Sequence, residues 1–322
     1  MPNARGAAVS DLQRRLARLG HVVAPGELGH YGQDTENRVR RFQTARGLRA
    51  DGVCGEQTWS ALVEAGFELG DRLLYLRQPM LRGDDVAALQ RHLGALGFDA
   101  GRVDGIFGSR TESALNEFQR NAAVTVDGVC GPASLKVLER LGARVAERQP
   151  VAVVRELERL RHTPRTLAGS HIALAGAGGM HAAAQATARG LAAAGATVAL
   201  LSQLDASEQA QEANTSGADV FVGLVLDAAS TGCSSAYYAG HRFESPAGRR
   251  LAELIQSAVP HALGIADLGA HGMALASLRE TRMPAVLCEL GPPPVVVVGT
   301  ARLAEVLAEV LAAWVAEPCD VR

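Results

Sequence analysis

The stretch Tyr31-Gly32…Thr35…Phe42-Gln43…Asp51-Gly52-Val53-Cys54-Gly55 returns almost unchanged as Phe107-Gly108…Thr111…Phe118-Gln119…Asp127-Gly128-Val129-Cys130-Gly131. A motif string that recurs in the same order and at the same internal spacing marks one supersecondary unit used twice. The first half of the chain is therefore read as a duplicated module, and the rest is parsed around it.

In each copy Val9/Val86, Leu12/Leu89, Leu16/Leu93 and Leu19/Leu96 fall three and four residues apart on one helical face, with Gly20/Gly97 as the stop. A Gly-rich turn leads to a second helix, with Thr35 or Thr111 expected as its N-cap and Val39/Leu115 and Phe42/Phe118 as its buried stripe. A third helix around Thr58–Val63 and Ser134–Leu138 closes a small three-helix unit. Boundaries are expected at 1–72 and 73–145 for the modules, 146–168 for a linker helix ended by Pro164 and carrying Val151, Val154, Leu157 and Leu160, and 169–322 for the remainder.

Composition narrows the function classes. A net charge of −2 over 322 residues leaves no electrostatic footprint for nucleic acid. No apolar run reaches the length a bilayer requires, and the arginine-bearing start is not of signal-peptide type, so a cytoplasmic protein without a membrane span is expected. Cys54, Cys130, Cys233, Cys288 and Cys319 form no C-x-x-C pair and are expected as reduced, buried thiols.

The module pattern V-x-x-L-Q-x-x-L-x-x-L-G, aromatic-Gly-x-x-T, F-Q, D-G-V-x-G resembles the peptidoglycan-binding module of cell-wall hydrolases, over residues 7–66 and 84–142. The resemblance implies a binding unit, with Gln90, Asp104, Gln119 and Asp127 as its candidate contacts. Read from their chemistry alone, these glutamines and their partners Gln13 and Gln43 serve turn hydrogen bonds that fix the fold. Leu28-Gly29 stands in the first copy where the second has Asp104-Gly105, which makes the second copy the expected binder.

From His171 the texture changes to β-forming runs between Ala-rich helices: Ile172–Ala175, Thr197–Leu201, Val220–Leu226 and Pro284–Leu290, with helices at Ala247–Ala262 and Leu303–Trp314. Tyr237-Tyr238 suits a further strand. The alternation predicts a three-layer α/β domain with a mostly parallel sheet behind the two helical modules. Pro292 to Val298 reads equally as a strand or as an apolar contact patch.

Ala213-Asn214, Ala218–Val222, Ala236-Tyr237-Tyr238 and above all Leu278-Arg279-Glu280-Thr281-Arg282-Met283-Pro284-Ala285-Val286 running into Glu289-Leu290-Gly291 resemble the zinc-dependent N-acetylmuramoyl-L-alanine amidases. That family's chemistry implies a zinc with three protein ligands, a bound water and a nearby carboxylate. The matching positions here offer Gly178 for the first histidine, no acid between Met180 and Gly195 for the glutamate, and Val225 for the second histidine, leaving Glu289 as a relic general base. No cofactor is expected. An active amidase would need a relocated zinc site borrowing His181, His241 or His271, and lone histidines without H-x-x-x-H spacing are ordinarily surface residues.

The combination of modules, Gly-Asp-Arg and Gly-Asp-Asp turns and missing ligands is most similar to the actinobacterial amidase-like regulators. This implies an inactive homologue that controls peptidoglycan precursor synthesis by binding its enzymes or cell-wall regulators, with peptidoglycan fragments as further ligands and Thr163 and Thr166 as candidate kinase acceptors. A competing reading takes Ile172–Gly179 as a dinucleotide-type βα turn able to hold a nucleotide or UDP-sugar phosphate. Against it, His181 replaces the third glycine and Ser202 rather than Asp ends the second strand.

Overall fold

The computed structural model describes residues 4–142, 156, 160, 161, 163–240 and 243–319. Val151, Val154 and Leu157 of the expected linker helix, and His241, lie outside the described residues. The chain divides into two compact units, Met1–Val154 with His241–Phe243, and Arg155–Gly240 with Glu244–Arg322.

The first unit holds the duplication. Helices α1 (Ala7–Arg18), α2 (Gln33–Ala45) and α3 (Glu56–Glu64) form one copy, and α4 (Asp84–Ala95), α5 (Ser109–Asn121) and α6 (Pro132–Gly142) the other. Their stripes close separate cores, Val9, Leu12, Leu16, Tyr31, Val39, Phe42 and Leu62 in the first, and Val86, Leu89, Leu93, Phe107, Leu115, Phe118 and Leu138 in the second. Leu74 and Leu81 from the connector are buried in the second core and Leu69 packs against it. Arg72 fastens the same connector to α4, donating to Asp85 at 2.7 Å and to the Arg82 carbonyl at 2.7 Å. The connector from Leu69 onward thus belongs physically to the second module.

One local expectation is corrected. The N-caps of α2 and α5 are Gly32 and Gly108, which supply no side-chain cap, and Thr35 and Thr111 are the third helical residues of their helices. Their hydroxyls are buried because they are needed inside, against the glutamines described below.

The second unit is a mixed six-stranded sheet of order β2-β1-β3-β6-β4-β5. Its elements run β1 (His171–Ala177), α7 (His181–Ala193), β2 (Thr197–Leu201), α8 (Ala206–Thr215), β3 (Val220–Leu226), β4 (Gly232–Tyr238), α9 (Pro246–Leu263), β5 (Ala266–Met273), α10 (Ala276–Arg279), β6 (Ala285–Leu290), α11 (Pro293–Val298) and α12 (Thr300–Ala316). Strands β2, β1, β3 and β6 are parallel, β4 runs antiparallel to β6, and β5 is parallel to β4. Ile172, Leu174, Val220, Val222 and Leu224 join the core under α7, α9 and α12. The alternate residues Ala173, Ala175 and Phe221 are equally buried on the other face, as a sheet covered on both sides demands.

Leu160, the described end of the linker, is buried in this core, and Glu156 accepts hydrogen bonds from the Ser245 hydroxyl at 2.7 Å and the Ala247 N–H at 3.2 Å at the start of α9. Pro292 to Val298, open between strand and patch by sequence, is helix α11 after a cis Gly291–Pro292 bond. Only its Val296 is buried, while Val295, Val297 and Val298 are 38%, 59% and 88% exposed.

Candidate functional site

Parallel strands place functional side chains where they end, at the carboxyl edge of the sheet. The register of three neighbouring strands pairs Ala177 of β1 with Val225 of β3, and Val225 with Glu289 of β6. Gly178, one residue past Ala177, lies against Leu226, so the three positions singled out from sequence fall at the same end of three adjacent strands, with β3 between Gly178 and Glu289. Glu289 is half-buried, with Ser234 of β4 as its neighbour on the other side.

The loop from β1 to α7 is folded tightly onto the end of β3. Gly178 has φ +62, and a Cβ there would stand 2.9 Å from the Leu226 carbonyl oxygen. At Gly176 a Cβ would meet the Met180 carbonyl at 2.6 Å, so its close backbone approach serves the loop's own return into α7. These glycines are required by the local path of the chain whether or not any phosphate is present.

His181 opens α7 and is exposed. His271 lies on the edge strand β5, opposite Ala236, with β4 standing between it and the strand of Glu289. Its exposed ring has Nε2 2.7 Å from the Leu268 carbonyl. The fold does not bring the two histidines together, because β3, β6 and β4 stand between β1, which leads into His181 and α7, and β5, which carries His271. Among the described residues no three His, Cys, Asp or Glu side chains come together as a metal would need. Among the described residues the donor set at this end of the sheet, one carboxylate with a glycine and a valine on the adjacent strands, does not fit the zinc that the resemblance implies.

Beneath that edge Cys233 and Cys288 lie buried with Ser235, whose hydroxyl is 3.3 Å from the Cys288 sulfur. The Cys288 thiol beside it and burial push the Cys233 thiol well above its ordinary value. All five cysteines are free thiols.

In the helical unit the candidate binding residues form a repeated internal lock. Gln13, Gln43, Gln90 and Gln119 are all buried, and the side-chain oxygen of each accepts the N–H of a glycine: Gly29 at 2.8 Å, Gly52 at 2.8 Å, Gly105 at 2.9 Å and Gly128 at 3.0 Å. These glycines share the left-handed region, with φ between +68 and +76, where a side chain would be strained. Each glutamine amide donates to the next residue's carbonyl, at 3.0 Å in all four cases. It also donates to a hydroxyl six residues past the glycine: Thr35 at 2.9 Å, Thr58 at 3.0 Å, Thr111 at 3.2 Å and Ser134 at 3.0 Å.

Each module is thus itself two copies of one glutamine-locked octad, beginning Leu28, Asp51, Asp104 and Asp127. In three octads the aspartate accepts from the glutamine at 2.7, 2.8 and 2.8 Å. The Val129 N–H, followed by the Gln119 amide, holds the Asp127 carboxyl below its usual range. Where Leu28 replaces the aspartate, Gln13 turns to the Glu27 carbonyl at 2.9 Å. The Glu27 carboxylate then accepts the N–H groups of Asp34 at 3.1 Å and Thr35 at 3.0 Å, supplying a cap to α2 that the other octads lack. The sequence reading missed this half-repeat, although the glycine-to-hydroxyl spacing common to all four octads carried the signal.

Comparison with known proteins agrees with this division. The peptidoglycan binding domain model matches residues 5–62 and 82–138, and the N-acetylmuramoyl-L-alanine amidase model matches residues 179–292. A Mycobacterium tuberculosis protein named N-acetylmuramoyl-L-alanine amidase CwlM is 35% identical, over 89% of this chain and 80% of its own length. The N-acetylmuramoyl-L-alanine amidase CwlL of Bacillus licheniformis is 30% identical over 42% of this chain and 44% of its own. A crystal structure of an N-acetylmuramoyl-L-alanine amidase from Clostridium difficile 630 overlays on 46% of this chain and 98% of its own at 19% identity, with a TM-score of 0.40. On the near full-length likeness to the mycobacterial protein, this chain belongs to the N-acetylmuramoyl-L-alanine amidase family, in the form that carries two peptidoglycan-binding domains ahead of the amidase domain.

Proposed function

We propose that this chain is a non-hydrolytic member of its family, a binding and regulatory protein of peptidoglycan precursor synthesis that works in the cytoplasm. The observation that carries the reading is the edge formed by Gly178, Val225 and Glu289. Metal-assisted amide hydrolysis needs three protein ligands, an open position for water and a carboxylate to move its proton. The side chains of glycine and valine have no lone pair to give, and His181, at the start of α7 after β1, is separated from His271 on β5 by β3, β6 and β4. Among the described residues what remains is a carboxylate with no ligand set to hold a Lewis acid beside it, in a scaffold that keeps both modules.

Five free cysteines without a C-x-x-C pair, Cys233 on β4 and Cys288 on β6 among them, support a reducing compartment. The chemistry expected of a partner follows from the family: enzymes or regulators that handle the precursor, with peptidoglycan fragments as ligands of the modules. Among the described residues no helix is long and apolar enough to cross a membrane.

The test is direct. Protein purified in the presence of zinc is assayed for bound metal, for release of stem peptide from peptidoglycan, and for its effect on the turnover of purified precursor-synthesis enzymes. Expected are no stoichiometric zinc, no release, and a change in the rate of one of those enzymes. Bound zinc together with stem-peptide release that disappears in Glu289→Gln overturns the reading.

A further inference from the structure

The two modules match motif for motif and hydrogen bond for hydrogen bond at their glutamines, so a charge present in one and absent from the other marks something the fold does not need. Three such positions, Arg38, Arg41 and Arg46, gather on the first module beside His21. His21 meets Phe42 edge-on with ring centroids 6.1 Å apart, the slot that Phe98 fills against Phe118 at 5.7 Å in the second. The Arg46 guanidinium lies over the same Phe42 ring, 5.7 Å from its centroid. Arg38, Phe42 and Arg46 follow one another four residues apart along α2 and its C-cap, with Arg41 three residues from Arg38, and burial first, then the charges of Arg38, Arg41 and Arg46, hold the His21 imidazole below its ordinary pKa. Counted from the shared glutamines, the second module carries Phe98, Ala114, Glu117 and Ala122 at these positions. The aromatic slot is structural, and the three arginines are additions.

A carboxylate already sits on this face. Arg46 Nη1 donates to both oxygens of Asp84 at 2.8 Å. Asp84 opens α4 of the second module, where the first has Ala7. Arg38 holds Asp34 at 3.2 Å. Arg41 is exposed and has no counter-ion among the described residues. All three cations are guanidinium groups, whose planar forks suit carboxylates better than the point charge of lysine does. Val22, 61% exposed and next to His21 in the chain, adds an apolar contact.

We propose that the His21–Arg38–Arg41–Arg46 face of the first module is a docking surface for an acidic segment of a partner protein, and that Asp84 occupies part of it in the free chain. Three guanidiniums, two of them able to exchange an internal carboxylate for an external one, match a short run of Asp and Glu. They are too few for the tracking of a nucleic-acid backbone, and a lipid surface calls for about 4–8 clustered cations. The proposal rests on the reading of the chain as a binding protein and gives that reading a site.

The experiment measures fluorescence anisotropy of labelled octaglutamate with the full chain, with octaglutamine as control, at low and physiological salt. Arg38→Ala, Arg41→Glu and Arg46→Ala install the second module's own residues, so the variants keep a sequence that the fold accepts, and thermal unfolding verifies this. Expected are salt-sensitive binding of octaglutamate alone, a fall of about tenfold in the triple variant, and a rise of several-fold in Asp84→Ala as Arg46 is released. Equal affinity in the triple variant, equal binding of both peptides, no gain in Asp84→Ala, or tighter arginine-dependent binding of anionic vesicles overturns the proposal. Such a failure, with regulation of a precursor enzyme intact, removes this surface alone; zinc-dependent hydrolysis would remove the reading beneath it.

Discussion

The helical half and the α/β half treat their polar motif residues in opposite ways. In the modules each motif glutamine is buried and hydrogen-bonded to its turn, so loss of one leaves several backbone and hydroxyl groups without partners. In the α/β half the corresponding motif positions stand at strand ends, Val225 as the penultimate residue of β3 and Gly178 just past β1, while the ladder beneath them is continuous. A residue that holds a turn through buried hydrogen bonds is tied to the fold, whereas a residue at the open end of a strand is not, because the sheet does not depend on its side chain. A family motif therefore separates into scaffold and reagent, and only burial with internal partners tells which is which.

The largest break in that contrast is Gln119→Ala. It leaves the Gly128 N–H and the Ser134 hydroxyl without the partner they have now, and about 2–4 kcal/mol of second-module stability should go with them in denaturant unfolding. A cost below that of an ordinary surface change would show that the lock is dispensable.

Next comes Gly178→His, which tests whether the sheet edge is only stripped of a ligand or also closed over it. A non-glycine residue at φ +62, with its Cβ against the Leu226 carbonyl, should cost about 1–3 kcal/mol. Combined with Val225→His it should still take up no stoichiometric zinc by elemental analysis. Uptake would mean that the loop opens readily and that the ligand positions remain usable.

Leu28→Asp sharpens the comparison within the modules. It restores the aspartate of the other octads, but Glu27 already caps α2, so the change in stability should stay within about 1 kcal/mol. A larger gain would show that Glu27 replaces the aspartate poorly.

The smallest effect is that of pH on the first module. The folded-state pKa of His21 lies below its unfolded value, so the unfolded chain binds the proton more readily. Stability is then full above the unfolded pKa and falls as pH drops below about 6.5. His21→Phe, the residue type of the second module, should flatten this slope in melts at pH 5 and pH 8, and an unchanged slope would place its origin elsewhere.

Much of this was legible beforehand because it rests on periodicity. The strands at Thr197–Leu201 and Val220–Leu226 have the expected bounds, and the helices lie within a few residues of their stripes. Strand β5 escaped because an exposed edge strand broken by Gly269 and Gly272 shows no alternation of apolar residues. Helix α8 escaped because its buried face is only Ala210 and Ala213. The threonines read as N-caps looked the part, since a hydroxyl before a helical stripe is the usual signal, and only the buried glutamine amide beside each reveals its other use.

By itself the sequence determined the duplication and the α/β half, because repeats and apolar period are local or self-similar properties of a chain. Only the tertiary structure decided that Gly178, Val225 and Glu289 share one edge, that His271 does not, and that Asp84 reaches Arg46 across two modules. Those are facts of strand order and of packing between segments far apart in the chain, and no window of residues encodes a distance between positions that only folding brings together.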